Sequence, residues 1–173
     1  MTGAGDIGIR SVDASDHTAL AALMAEMQAH YRVPCPTPED ILAGLATMPQ
    51  GVEILVAERD GELRGFAAAA AIYPGPGLAS GFFLKELYVA RDARGGGIGR
   101  SLMRALAELA LARGHRRLDW TADAGNPDLL RFYESLGAAA QTEKIFFRLT
   151  GDALAMTAQR PLRTGGVEPQ PER

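Results

Sequence analysis

Apolar positions along the chain change period several times, and each change marks an element. Ile7, Ile9 and Val12 alternate as a short strand would. Asp16 stands where it can cap a helix, and Leu20, Leu23, Met24 and Met27 then recur at three- and four-residue spacing, which predicts a helix with one apolar face. Pro34, Pro36 and Pro38 impose an extended stretch, after which Thr37 or Pro38 opens a second short helix through Ile41, Leu42 and Leu45. Val52 to Arg59 and Glu62 to Tyr73 read as strands joined by Asp60-Gly61, a pair favoured in type I′ turns, so an antiparallel hairpin is expected. Pro74-Gly75-Pro76-Gly77 breaks it, and Phe82 to Ala90 reads as a further, largely apolar strand.

That strand runs straight into Arg94-Gly95-Gly96-Gly97-Ile98-Gly99-Arg100 and then into a helix with Leu102, Met103, Leu106, Leu109 and Ala110 on one stripe, closed near Gly114. Arg117 to Thr121 predicts the next strand, completing a βαβ crossover whose two strands are parallel. Asn126 followed by Pro127 is an N-cap with proline at the first helical position, and Gly137 sits where a glycine ends a helix. Between them Leu129, Phe132, Tyr133 and Leu136 form the apolar side of a short helix. A terminal hairpin is expected from Ala138 to Leu149, with Asp152 capping a last turn. Beyond Arg160 proline, glycine and charge dominate, so residues 161–173 are expected to be a disordered tail to one α/β domain over residues 1–160.

Composition narrows the function classes. The 173 residues suit one domain, and 47 % hydrophobic with 23 % charged residues excludes collagen-like, coiled-coil and disordered chains as a whole. Eighteen Lys+Arg against 21 Asp+Glu give a formal charge of −3, without the basic surplus that a nucleic-acid or membrane-surface binder carries. Cys35 is the only cysteine, which rules out an intramolecular disulfide and a cysteine-built metal site; no His/Asp/Glu group has metal-ligand spacing, so no metal is expected. Met1 to Arg10 lacks an apolar signal region and the longest apolar stretch, Phe66 to Tyr73, is far short of a membrane span, leaving a cytoplasmic enzyme or binding module.

The glycine loop is the strongest chemical signal. Glycines let backbone N–H groups approach a ligand, and a helix start aims them at one point that attracts anions. Arg94 and Arg100 add full positive charges, and so many donors suit a diphosphate better than a lone carboxylate. A nucleoside-triphosphate loop requires Gly-Lys-Ser/Thr at its end, and Gly99-Arg100-Ser101 has no lysine. A dinucleotide loop G-x-G-x-x-G finds an acid at Asp119, but its last glycine falls on Arg100 or Leu102. The pattern Arg/Gln-x-x-Gly-x-Gly/Ala is met by Arg94, Gly97 and Gly99.

Leu87-Tyr88-Val89, the run Arg94 to Arg100, Asn126 and Phe132-Tyr133 together resemble the GNAT superfamily of acyl-CoA N-acyltransferases over roughly residues 6 to 150. Phe82 to Val89 and Asn126 to Tyr133 are most similar to its diamine (spermidine/spermine) acetyltransferase branch. The resemblance implies a mixed, mostly antiparallel sheet with a splayed central pair of parallel strands flanked by helices. It implies acetyl-CoA as cosubstrate, held by the backbone of Leu87, Tyr88 and Val89 along the pantetheine arm, by Arg94, Gly95, Gly96, Gly97, Ile98, Gly99 and Arg100 at the diphosphate, and by Asn126 nearby. A homodimer is expected from the family's tendency.

On that resemblance the chemistry is attack of a primary amine of a small molecule on a thioester. Tyr133 matches the tyrosine that donates a proton to the departing sulfur, although a tyrosine on a Leu/Phe-rich helix is also an ordinary core residue. Glu86 is the nearest acidic residue, a base or water relay on one reading and a solvated strand carboxylate on the other. Lys85 stands where the diamine enzymes carry an acid, and with Arg32 it disfavours a polycation and favours an amine that also bears an anionic group. His30 and Tyr31, at the end of the first helix, and Trp120, at the end of a strand, are the remaining acceptor-side candidates. A coenzyme-binding module without turnover and a protein-lysine acetyltransferase are the alternatives.

Overall fold

The structure, a computed structural model, describes residues 6–160. One sheet holds β1 (Gly8–Ser11), β2 (Val52–Arg59), β3 (Glu62–Ile72), β4 (Gly81–Val89) and β5 (Leu118–Trp120) in that spatial order. The first four pair antiparallel and β5 joins β4 in parallel. The helices are α1 (His17–Tyr31), α2 (Pro38–Ala46), α3 (Ile98–Ala112), α4 (Pro127–Glu134) and α5 (Gly151–Gln159), so the α/β class with a mixed sheet is as the sequence leads one to expect.

Four consecutive residues of β2, Ile54 to Ala57, are buried. Neighbouring strand residues point to opposite faces, so the sheet is covered on both sides; α1 and α3 are the helices packed on it. Leu20, Leu23 and Met27 from α1 and Ile98, Leu102 and Leu106 from α3 enter the same core as Phe66 and Phe82. The Asp60-Gly61 turn has φ of 56° and 79°, positive at both central residues as a type I′ turn demands.

Local caps act where short polar side chains precede helices. Thr37 accepts from the Asp40 N–H at 3.2 Å, with Pro38 at the first helical position, and Asn126 accepts from the Leu129 N–H at 3.1 Å ahead of Pro127. Asp16 differs from expectation. It precedes α1 but makes no capping bond to it. Its carboxylate instead takes both guanidinium nitrogens of Arg10, at 2.6 and 2.8 Å, and the Asp13 N–H at 2.9 Å, closing a capping box around the short 3₁₀ turn Ala14–Asp16.

The hairpin expected from Ala138 to Leu149 does not form. The Lys144 N–H bonds the Gln141 carbonyl at 3.2 Å, so the backbone turns, but the flanks carry no strand. An isolated two-stranded ribbon is marginal in water, and an alternating pattern marks a strand-competent segment without naming its partner. With five strands described, the β4–β5 pair stands at one edge of the sheet. Asp152 lies in the first turn of α5 behind Thr150 rather than at the cap position. The chain divides between Leu136 and Gly137 into two compact units, and the expected tail 161–173 lies outside the described residues.

Candidate functional site

The first unit opens where β4 and β5 part. Phe82 pairs with Leu118, Phe83 with Asp119 and Leu84 with Trp120; there β5 ends, while β4 continues to Val89. Residues 86–89 of β4 therefore pair with β3 alone. On that inner side the register jumps from Ala68 opposite Glu86 to Ala69 opposite Leu84, leaving Lys85 without a partner. Such an extra residue is a β-bulge, which bends and twists its strand and re-aims side chains. It falls at the point of divergence and turns Lys85 and Glu86 there. At Gly65, opposite Val89, a Cβ would lie 2.7 Å from the Tyr88 carbonyl oxygen, so close contact of β3 with β4 requires glycine.

The glycine loop follows β4 after one 3₁₀ turn, Arg91–Ala93. Gly95 and Gly97 have φ of 78° and 85°, where a side chain is strained. Gly97 is the N-cap of α3 and no side chain caps that helix end. The N–H groups of residues 94–97 find no acceptor among the described residues. A 15-residue helix aiming its positive end at unfilled donors is a fit for a diphosphate. The Ile98 side chain is in the core, leaving only its backbone at the loop, and at Gly99 a Cβ would rest at ordinary distance, 3.5 Å, from the Phe132 ring.

The arginines divide their work. Arg94 donates through Nε to the Val89 carbonyl at 3.1 Å and lies 5.5 Å over the Tyr88 ring, tying the loop to the strand end. Arg100 turns to α4, donating to Ser135 Oγ at 2.8 Å. Asn126 spends its carbonyl oxygen on the α4 cap. The Tyr88 side chain is buried and its hydroxyl donates to Glu26 at 3.0 Å, so only its backbone is free for a ligand.

Three groups flank the opening. Glu86 keeps about a quarter of its side chain exposed and pairs with the exposed Lys85 at 3.0 Å. Tyr133, half-buried on α4, has its ring 5.0 Å from Trp120 and 5.2 Å from Phe132. Burial, with Tyr31 and Glu86 as charged or ionisable neighbours, holds its phenol above the ordinary tyrosine range. Tyr31 ends α1; burial and Glu86 push its phenol up, and Arg94 opposes them. The Glu86 charge thus favours the neutral form of both phenols. His30 lies beside them, 5.4 Å from the Tyr31 ring and 6.2 Å from Tyr88, and Arg32 ends the helix in the left-handed region at φ 55°. Asp119 is engaged by Arg117 at 2.5 Å.

Sequence reasoning missed three residues that hold the loop. Glu26 of α1 accepts from the Arg91 N–H at 3.0 Å, Arg64 of β3 grips Asp92 at 2.6 Å, and Arg59 of β2 donates to the Gly96 carbonyl at 2.8 Å. Each is remote in sequence from its partner and part of no local pattern. The sheet fold alone brings them together. A second hollow is lined by Arg10, Asp16, Glu26 and Glu58; Arg10 pairs with Asp16 and Glu58, while Glu26 is taken by Tyr88 and the Arg91 N–H.

A parallel strand pair whose pairing stops at Leu84, followed by an uncapped glycine-rich helix start, is an arrangement suited to an acyltransferase-type α/β domain. The family model described as Acetyltransferase (GNAT) family matches residues 20–138, and the chain belongs to that family. Similar relatives include an L-ornithine N5-acetyltransferase from Arabidopsis thaliana, 33 % identical over 52 % of this chain and 40 % of its own length. A phosphinothricin N-acetyltransferase from Alcaligenes faecalis is 34 % identical, with 66 % and 59 % covered. A thialysine N-epsilon-acetyltransferase from Mus musculus is 35 % identical, with 45 % and 48 % covered. The chain thus spans about half the length of the curated relatives it matches. Among solved structures, an integron cassette protein from the mobile metagenome of V. cholerae superposes with a TM-score of 0.81 at 31 % identity, over 89 % of this chain and 98 % of that one.

Proposed function

We propose that the protein transfers the acetyl group of acetyl-CoA to a primary amine of a small molecule by direct attack within a ternary complex. The observation that carries this reading is the unpaired end of β4, residues 86–89, set directly before an uncapped glycine-rich helix start and beside Glu86 and Tyr133. Acetyl-CoA, when bound, supplies an activated thioester. The backbone of Leu87, Tyr88 and Val89 holds the pantetheine arm, and the N–H groups from Arg94 to Arg100 hold the diphosphate, with Asn126 beyond them. Acceptance of a carbonyl and amide-bearing arm by a free strand edge is ordinary β-addition.

Glu86 takes the proton that a charged amine must lose before it can attack; at neutral pH that deprotonation costs about 4–5 kcal/mol for a lysine-like amine. Tyr133 donates its phenolic proton to the departing sulfur, and its raised pKa keeps that proton in place at neutral pH. The new C–N bond replaces the C–S bond: the charged amine gives one proton up through Glu86 before attack and a second after it, the second makes good by way of solvent the proton that Tyr133 lends to the departing thiol, and one proton is released in each turnover. His30, Tyr31, Lys85 and Trp120 line the acceptor side. Arg32, with Lys85 held beside Glu86, places positive charge on that side, which favours an amino-acid-like amine with its own anionic group over a bare diamine. The names of the L-ornithine and thialysine acetyltransferases support the same class. The reading places one such domain over residues 1–160 of a cytoplasmic homodimer.

Purified protein with acetyl-CoA and a panel containing L-ornithine, thialysine, phosphinothricin and spermidine tests this by thiol release. An amino-acid amine is expected to raise release above hydrolysis and spermidine to do so least. Tight coenzyme binding with no amine-dependent release would reduce the protein to a binding module.

A further inference from the structure

Resting on the reading that the segment from Arg94 to α3 holds the coenzyme, we propose that Arg59 is the positioning residue of that loop and supplies positive charge to the diphosphate from behind the backbone. Arg59 closes β2, and its Nη2 donates to the Gly96 carbonyl at 2.8 Å. Gly96 is shaped for this contact. A Cβ there would lie 2.8 Å from Arg59 Nη1 and 3.2 Å from Nη2, so a side chain at this position would push the tip of the guanidinium away from where it now sits. Gly95 and Gly97 have positive φ and Gly96 does not, so room for Arg59, rather than backbone freedom, accounts for the middle glycine.

The charge of Arg59 is not spent elsewhere. Arg10, Arg64, Arg113 and Arg117 each face a carboxylate, whereas Arg59 makes no ion pair among the described residues, and its Nε is buried without a hydrogen-bond partner among them. A cation in a partly desolvated position attracts an anion more strongly than one in bulk water. The contact also acts through the peptide group. The Gly96 carbonyl and the Gly97 N–H belong to one amide, and a charged donor on its oxygen polarises that amide so that its N–H binds an anion more strongly. Glu26 at Arg91 and Arg64 at Asp92 fix the near side of the loop; Arg59 fixes the far side, where the helix begins. A loop held at both ends loses less freedom when its ligand binds.

The test compares Arg59→Met, Arg59→Lys, Gly96→Ala, the Arg59→Met/Gly96→Ala double variant and Gly97→Val in the full chain, with coenzyme A affinity from calorimetry, folding from thermal unfolding, and turnover with acetyl-CoA and with acetylpantetheine, a donor without the diphosphate. Arg59→Met is expected to weaken coenzyme A about tenfold, about 1.4 kcal/mol, while kcat and the rate with acetylpantetheine stay within about twofold. Arg59→Lys restores part of the affinity because it keeps the charge without the planar fork. Gly96→Ala costs affinity alone and nothing further in the Arg59→Met background, since both remove one contact. Unchanged coenzyme A affinity in Arg59→Met, or equal loss with both donors, overturns the proposal. If Gly97→Val also binds coenzyme A like the wild type, it is the coenzyme-loop reading beneath it that falls.

Discussion

Tyr133 and Asp16 show how much a single side chain's surroundings decide. The Tyr133 phenol is half-buried against Trp120 with Glu86 and Tyr31 as neighbours, and all of these favour its neutral form. A proton donor must be protonated to act, so with its pKa raised above the ordinary value near 10 it stays competent throughout neutral and mildly alkaline pH. Tyr133→Phe is expected to lower kcat about a hundredfold and to leave coenzyme affinity unaltered. Steady-state kinetics beside calorimetry separates the two quantities, and an unchanged kcat would remove Tyr133 from the chemistry. At Asp16 the sign is opposite. The Arg10 guanidinium holds this buried carboxyl down at about 2, below its unfolded value, so the stability it contributes is present above pH ~4 and disappears as pH falls towards 2. Asp16→Asn should cost about 2 kcal/mol at neutral pH and flatten the acid limb of the unfolding curve in that window. Acid titration of both proteins by circular dichroism reads it directly.

At the scale of elements, the glycine loop contains positions that look alike in sequence and differ in the fold. Gly97 needs its left-handed backbone at φ 85° to start α3, whereas Gly99 has room for a methyl group beside Phe132. Gly97→Val should weaken coenzyme binding more than about tenfold, and Gly99→Ala should change it by less than about threefold. Calorimetric titration of both variants checks the contrast; equal losses would mean that space around the loop, not backbone shape, governs it. Much of this was legible in advance. Asp60-Gly61, Thr37, Asn126-Pro127 and Gly114 are local signals, and each acts where local chemistry places it. What was not legible depends on pairing across the chain. The bulge at Lys85 exists only because β4 meets β3 out of step, and Asp16 turns back to Arg10 at a β1 strand whose pairing with β2 also brings Glu58 onto that guanidinium. The segment 138–149 has the alternation of strands but no ladder, and Arg59 bears no local mark of its contact with Gly96.

For the molecule as a whole, the sheet is deliberately incomplete where the site lies. Strand edges are normally paired, covered or blunted, because exposed backbone donors and acceptors invite association. Beyond Leu84 the β4 edge is left free by the early end of β5, and the donors of residues 94–97 lie unfilled just after it. A ligand that satisfies both regions binds the native state and not the unfolded chain, so it must stabilise the fold by mass action: about 2.7 kcal/mol at a hundred times its dissociation constant. Coenzyme A is therefore expected to raise the unfolding midpoint of the wild type and not of Gly97→Val. Hydrogen exchange adds position to that measurement. Amides of Leu87, Tyr88 and Val89 and of residues 94–97 should slow on addition of coenzyme A, while those of β1 and α2, remote from the opening, should exchange as before. Protection spread evenly over the sheet would indicate general tightening, and protection missing from Leu87 to Val89 would detach the strand edge from the ligand even if the glycine loop still binds it.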